Sequence, residues 1–172
     1  MLQEYNNIFL DRDGIINEVI IRYKEVSSPR NLNEFIFRSE IKEFIDALLK
    51  NKKRIFVVSN QPDVARGKLS KKDLISMTEL IKKELNITEI SYCIHDDKDN
   101  CNCRKPQPGL IINYIKKYKL SKRKSVMIGD SIKDVEAAEN AGIKAIFLKT
   151  GYNKGIKKSV QCTHILKLKD LL

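Results

Sequence analysis

The chain has 172 residues and carries 33 Lys and Arg against 22 Asp and Glu, a formal net charge of +11, with 42% hydrophobic and 32% charged residues. That balance excludes a disordered chain, and the length suits a single domain, residues 1–172, able to bury a core. No apolar run reaches the roughly 20 residues of a membrane span. The N-terminal Met1-Leu2-Gln3-Glu4-Tyr5-Asn6-Asn7 lacks the basic start and long apolar stretch of a secretory signal, so a cytoplasmic monomer with no membrane contact is expected.

Ile8-Phe9-Leu10 reads as a short buried strand, with Asp11 and Asp13 at its carboxyl end and Gly14 permitting a sharp turn. The stretch Glu18–Arg38 reads as loop, and its Ser27-Ser28-Pro29-Arg30 is placed to border a site. Ile41, Phe44, Ile45, Leu48 and Leu49 share one helical face, with Ser39 as the expected cap. Arg54-Ile55-Phe56-Val57-Val58 is a second strand, and Ser59, Asn60 and Gln61 follow it. A helix capped by Ser70 carries Leu74, Met77, Ile81 and Leu85, and Ile90-Ser91-Tyr92-Cys93 is a weaker strand. Leu110, Ile111, Tyr114, Ile115 and Tyr118 form a third helical stripe entered through Pro108. Ser125-Val126-Met127-Ile128 is a strand that ends in Gly129-Asp130-Ser131, a helix runs from about Ile132 to Ala141 and stops at Gly142, and Lys144–Leu148 is a further strand. This alternation predicts an α/β fold, a doubly wound parallel sheet with helices on both faces.

If the strands before Asp11, Ser59 and Asp130 are neighbours, their polar tips meet in one crevice. Phosphoryl transfer needs such a set: an aligned nucleophile, a divalent cation and fixed donors for the non-bridging oxygens. Asp11 suits the nucleophile, Asp13 the acid and base, and Asp11 with Asp130 a Mg²⁺ site. Ser59, the main chain near Asn60, Arg104 and Lys105 are candidate phosphate and transition-state donors. Asn17, Gln61 and Arg66 are candidate substrate contacts, although Asn17 suits a turn and Arg66 an exposed loop equally well. Asp134 is expected to orient its neighbours and Arg12 to be structural.

Cys93-x-His95 followed by Cys101-x-Cys103 offers three thiolates and an imidazole, a closed tetrahedral set for structural Zn²⁺. The resulting loop, residues 93–103, would fix Arg104 and Lys105, which follow it directly. Cys162 and His164 stand apart and read as packing or surface residues. The positive charge points to an anionic partner. Its lysines are scattered, including Lys154, Lys157, Lys158, Lys167 and Lys169 in the tail, and no aromatic-interleaved stripe accompanies them, so a small phosphorylated metabolite is expected and nucleic acid is not.

Asp11-Arg12-Asp13-Gly14, Ser59-Asn60-Gln61, Lys105 and Gly129-Asp130-x-x-x-Asp134 resemble the four ordered motifs of the haloacid dehalogenase superfamily of phosphatases. Asp11–Asn17, Ser59–Gly67 and Cys101–Pro106 further resemble its heptose 1,7-bisphosphate phosphatase branch, to which the zinc-loop histidinol-phosphate phosphatases are related. The resemblance implies a Rossmann-like core without a large cap, Mg²⁺ dependence and an aspartyl-phosphate on Asp11. It also implies that the Asp13 carbonyl binds the cation. The implied reaction is removal of the 7-phosphate of D-glycero-D-manno-heptose 1,7-bisphosphate, on the way to lipopolysaccharide precursors. Histidinol phosphate and polynucleotide 3′-phosphates are the alternative substrates. Pro62, Ser131 and the Glu18–Tyr23 stretch depart from the branch's pattern.

Overall fold

Short runs of β-branched and aromatic residues, each followed by a helix, can pair side by side only if every helix crosses back over the sheet, and this yields parallel strands covered on both faces. The computed structural model describes residues 1–153 and 162–172, so Lys154, Lys157 and Lys158 lie outside the described residues. In chain order the elements are β1 (Asn7–Leu10), β2 (Ile20–Arg22), β3 (Glu25–Ser27), α1 (Ile41–Lys50), β4 (Arg54–Asn60) and α2 (Lys71–Glu84). They continue with β5 (Glu89–Cys93), α3 (Gly109–Lys117), β6 (Ser125–Gly129), α4 (Ile132–Ala141), β7 (Lys144–Leu148) and β8 (Thr163–Ile165). The six-stranded sheet has the order β5-β4-β1-β6-β7-β8, and each of its pairings is parallel.

β1 lies between β4 and β6, with Leu10 opposite both Val57 and Ile128. All four of its residues are buried, as a strand covered on both faces requires. Successive side chains point to opposite faces. Ile8 and Leu10 therefore join the apolar layer beneath α1 and α2, while Phe9 joins Phe56, Val58 and Met127 in the layer beneath α3 and α4. Phe9 stacks on Phe56 with centroids 5.3 Å apart, and Phe56 meets Tyr114 of α3 at 5.1 Å. The central strand is thus held in depth by both layers, which fixes the position of the residue at its tip.

Three local readings change. Glu18–Arg38 contains an antiparallel hairpin, β2 with β3, whose turn residues Tyr23 and Lys24 both take positive φ (51° and 68°). No glycine marks that turn, so the usual hairpin signal was missing. Ser39 does not cap α1; Glu40 occupies the N-cap position and makes no side-chain cap bond. The three-residue β8 had too little apolar pattern to be visible as a strand. Elsewhere Ser70 caps α2 as expected, accepting from the Asp73 amide, and α4 ends at Gly142 with φ 75°. Among the described residues no helix is long and apolar enough to cross a membrane.

Candidate active site

The register of β1 with β4 and β6 places Asp11, Ser59, Asn60 and Asp130 together at the carboxyl end of the sheet. They line a cleft of about 330 Å³ with Asp13, Ser27, Ser28, Ser131, Ile132, Tyr152 and Asn153. Gly14, with φ 81°, is required here, because a Cβ at that position would collide with Asp130 Oδ2 and Tyr152 Oη.

At the floor, Lys105 is almost wholly buried and spends its ammonium on three acceptors: Asp11 Oδ1 at 2.9 Å, Asp134 Oδ1 at 2.5 Å and the Val58 carbonyl at 2.9 Å. Burial alone would lower its proton affinity, but the charges of Asp11 and Asp134 outweigh that and raise it well above the ordinary lysine range. Asp11 Oδ1 also accepts the Arg12 amide at 2.7 Å, which leaves the other carboxylate oxygen as the one available to the cleft. Asn60 clamps the Lys105 backbone from both sides, its Oδ1 accepting the amide and its Nδ2 donating to the carbonyl, each at 2.9 Å. The side chain of Asn60 thus holds Lys105, and a phosphate contact from this residue would have to come from its main chain.

Asp134 Oδ2 accepts the Ser131 amide at 3.0 Å, closing a capping box at the start of α4. Both of its oxygens are occupied, in keeping with an orienting role. Asp11, Asp130 and Asp134 present oxygens within 4.8 Å of one another. Burial, then the neighbouring charges of Asp11 and Asp134, push the Asp130 carboxyl up to about 8. Three carboxylates facing one ammonium in a desolvated floor is the environment a hard divalent cation relieves, and an all-oxygen donor set suits Mg²⁺.

Asp13 belongs to a separate cluster. The fully buried Arg12 grips it as a fork, Nε to Oδ1 at 2.9 Å and Nη2 to Oδ1 and Oδ2 at 2.8 and 3.1 Å. Asn17 Nδ2 donates to Oδ1 at 2.9 Å and Gln61 Nε2 to Oδ2 at 2.7 Å. Burial works to raise its pKa, but Arg12 and these donors hold it below the ordinary carboxylate range. The Arg12 plane lies over Phe35 and Tyr92, 5.9 and 5.7 Å from their centroids, and donates to Gln61 Oε1 at 3.0 Å. Asn17 and Gln61 are wholly buried, so both support Asp13 from behind instead of facing the cleft. Ser59 does face it; its Oγ accepts from Gln61 at 3.2 Å and keeps its own proton to donate.

Beyond the hairpin a second hollow shares Val26, Ser27 and Ser28 with the cleft and is lined by Arg22, Arg30, Arg66 and Lys68 against Glu25 and Asp63. Arg66 reaches Asp96 at 2.5 and 3.0 Å, and Arg30 reaches Asp63 at 2.8 Å. Arg104 turns away from the cleft to Asp97, at 2.7 Å. The sequence reading missed Tyr152 and Asn153. The rule that found the other sites, polar residues at the tip of a parallel strand, applies equally to Thr150-Gly151-Tyr152-Asn153 after β7.

Cys93, His95, Cys101 and Cys103 converge. The three Sγ–Sγ separations are 3.2, 3.5 and 3.6 Å, and His95 Nδ1 lies 3.5 and 3.3 Å from the sulfurs of Cys93 and Cys103. A tetrahedral ion with thiolates at ~2.3 Å has an edge of about 3.8 Å, so the set fits Zn²⁺ with modest expansion. Cys93 ends β5, and its carbonyl accepts the Gln61 amide at 2.7 Å, tying this loop to the site.

The chain belongs to the haloacid dehalogenase-like phosphatases, and it is a phosphoric monoester hydrolase. A family model described as HAD-hydrolase-like matches residues 102–167. More particularly, it is 34% identical to the D-glycero-alpha-D-manno-heptose-1,7-bisphosphate 7-phosphatase of Photorhabdus laumondii, over 84% of this chain and 82% of that one. It is 33% identical to the D-glycero-beta-D-manno-heptose-1,7-bisphosphate 7-phosphatase of Helicobacter pylori strain J99, over 99% and 98%. The fold matches that of a crystal structure of D,D-heptose 1,7-bisphosphate phosphatase from B. bronchiseptica complexed with magnesium and phosphate, with TM-score 0.81, 24% identity and coverage of 96% and 95%.

Replacing Arg12 by Lys keeps the charge but removes the fork. The expected loss is about 1.5–3 kcal/mol in urea denaturation, the range for a hydrogen bond to a charged group; an unchanged midpoint would show that Asp13 does not depend on it. Cys101→Ser is expected to lower bound zinc and melting temperature together, with activity falling in parallel as the segment reaching Lys105 loosens. Metal analysis and thermal melting check this, and lost activity at unchanged melting would mark the zinc as catalytic.

Proposed function

We propose that the protein is a Mg²⁺-dependent phosphatase that removes the 7-phosphate of a D-glycero-D-manno-heptose 1,7-bisphosphate, in the cytoplasmic supply of precursors for lipopolysaccharide. The observation that carries the reading is the cluster of Asp11, Asp130 and Asp134 around buried Lys105 at adjoining strand tips. Asp11, Asp130 and the Asp13 carbonyl would hold the cation. Bound there, it neutralises the phosphoryl oxygens and lets a carboxylate approach a dianion.

The available oxygen of Asp11 attacks phosphorus, held in line because Lys105 and the Arg12 amide fix the other oxygen. As the bond from Asp11 to phosphorus forms, the bond to the sugar oxygen breaks, and that oxygen takes a proton from Asp13. Arg12 favours ionised Asp13 in the resting enzyme; the incoming phosphate dianion raises its proton affinity and readies it as the acid. In the second half Asp13 accepts the proton of a water that attacks the aspartyl-phosphate, releasing inorganic phosphate and restoring Asp11. Ser59 Oγ–H and main-chain amides near Asn60 serve the non-bridging oxygens. The zinc loop has four protein ligands and no open position, so its role is structural.

A bisphosphate substrate is supported by the basic hollow joined to the cleft through Ser27 and Ser28. The cleft volume, near the lower end of ~300–1,000 Å³ small-molecule sites, suits one sugar phosphate better than a polymer. Phosphate release from both anomers of the heptose bisphosphate, histidinol phosphate and a 3′-phosphorylated oligonucleotide tests the substrate. The heptose is expected to lead in kcat/KM by at least an order of magnitude, and preference for either other class would overturn the assignment. Asp11→Asn is expected to abolish turnover with fold and zinc content unchanged; appreciable residual turnover would name a different nucleophile.

A further inference from the structure

The loop after β7 brings two adjacent polar residues onto Asp130. Tyr152 Oη donates to Asp130 Oδ2 at 2.5 Å. Asn153 Nδ2 donates to the Asp130 carbonyl at 2.8 Å and to the Leu148 carbonyl at 2.9 Å, while its Oδ1 accepts the Thr150 amide at 2.8 Å. One side chain therefore holds the carboxylate and the next holds the peptide from which it projects. Tyr152 Oη also packs against Gly14, where even a methyl group would strike it. Both residues line the cleft, so the brace is part of its wall.

A carboxylate on a single β–γ bond can rotate, and each rotation moves its donor oxygens relative to those of Asp11. Fixing one oxygen leaves the other with a defined direction. We propose that Tyr152 is a positioning residue for the cation site: its hydroxyl ties down Asp130 Oδ2, fixes the rotation of that carboxylate, and so sets the affinity of the acidic cluster for a divalent cation. Asn153 does the same for the backbone. The proposal rests on Asp130 being a cation ligand. Partners of this kind typically contribute 10–100-fold in metal affinity.

The test is Mn²⁺ binding to the zinc-replete, magnesium-free full chain, read from the paramagnetic resonance signal of free Mn²⁺ with no substrate present. Tyr152→Phe keeps the ring and deletes only the donor. It is expected to weaken Mn²⁺ binding about 10-fold or more, with the melting temperature of the metal-free protein unchanged. Its kcat is expected to recover toward wild type at high Mg²⁺ with KM for the phosphoester unchanged. Asn153→Ala is expected to weaken Mn²⁺ in the same direction. Asp130→Asn is the control: if it binds Mn²⁺ as the wild type does, the cation reading of Asp130 itself fails. If that control loses Mn²⁺ while Tyr152→Phe binds normally, the positioning role alone is overturned. Weakening matched by a comparable loss of metal-free stability would also overturn it, by assigning Tyr152 a structural role.

Discussion

The arrangement turns on charge withdrawn from water at the end of one strand. Lys105 sits with its three donors on Asp11, Asp134 and the Val58 carbonyl. A lone buried ammonium, or a lone buried carboxylate, would be too costly to keep ionised. Together they are tolerated, but the balance is uneven, because Asp130 adds a third acid and burial with its acidic neighbours pushes it up to about 8. The floor therefore holds three acids to one ammonium, and burial makes the third costly to ionise unless a cation joins it. A divalent cation is a complementary addition to such a floor.

Around this floor the polar residues form supports of supports. Arg12, Asn17 and Gln61 hold Asp13; Asn60 holds the backbone of Lys105; Tyr152 and Asn153 hold Asp130. The acids of the Cys/His loop extend the same logic outward, with Asp97 on Arg104 and Asp96 on Arg66, while Asp63 meets Arg30 at the basic hollow. These outer pairs are partly exposed and contribute little stability singly. Their effect is geometric: Arg66 with Asp96 joins the loop after β4 to the loop after β5, and Arg30 with Asp63 joins the segment after β3 to the loop after β4.

The strand tips were legible because a parallel sheet leaves little choice: an apolar run of four or five residues ending in Asp or Ser announces both the strand and its active end. The Cys₃His set was legible for the same reason, since its donors lie within eleven residues and need no tertiary information. What a sequence does not disclose is which way a side chain turns. Arg104 follows the metal loop and reads as a phosphate ligand, and in the structure its guanidinium is bonded to Asp97. Asn17 and Gln61 read as substrate contacts, and in the structure both donate to the Asp13 carboxylate. The hairpin was hidden by a turn built from Tyr23 and Lys24, and Tyr152 by its position beyond the last recognised motif.

The central claim is that one carboxylate, poised by a buried lysine, takes the phosphoryl group onto itself. Rapid acid quench of the Mg²⁺-loaded enzyme turning over a phosphate-labelled heptose bisphosphate, followed by peptide mapping, tests it directly. The account predicts label on the peptide containing Asp11, lost on treatment with hydroxylamine and absent from Asp11→Asn. Turnover without any labelled peptide, or label on another residue, would contradict it.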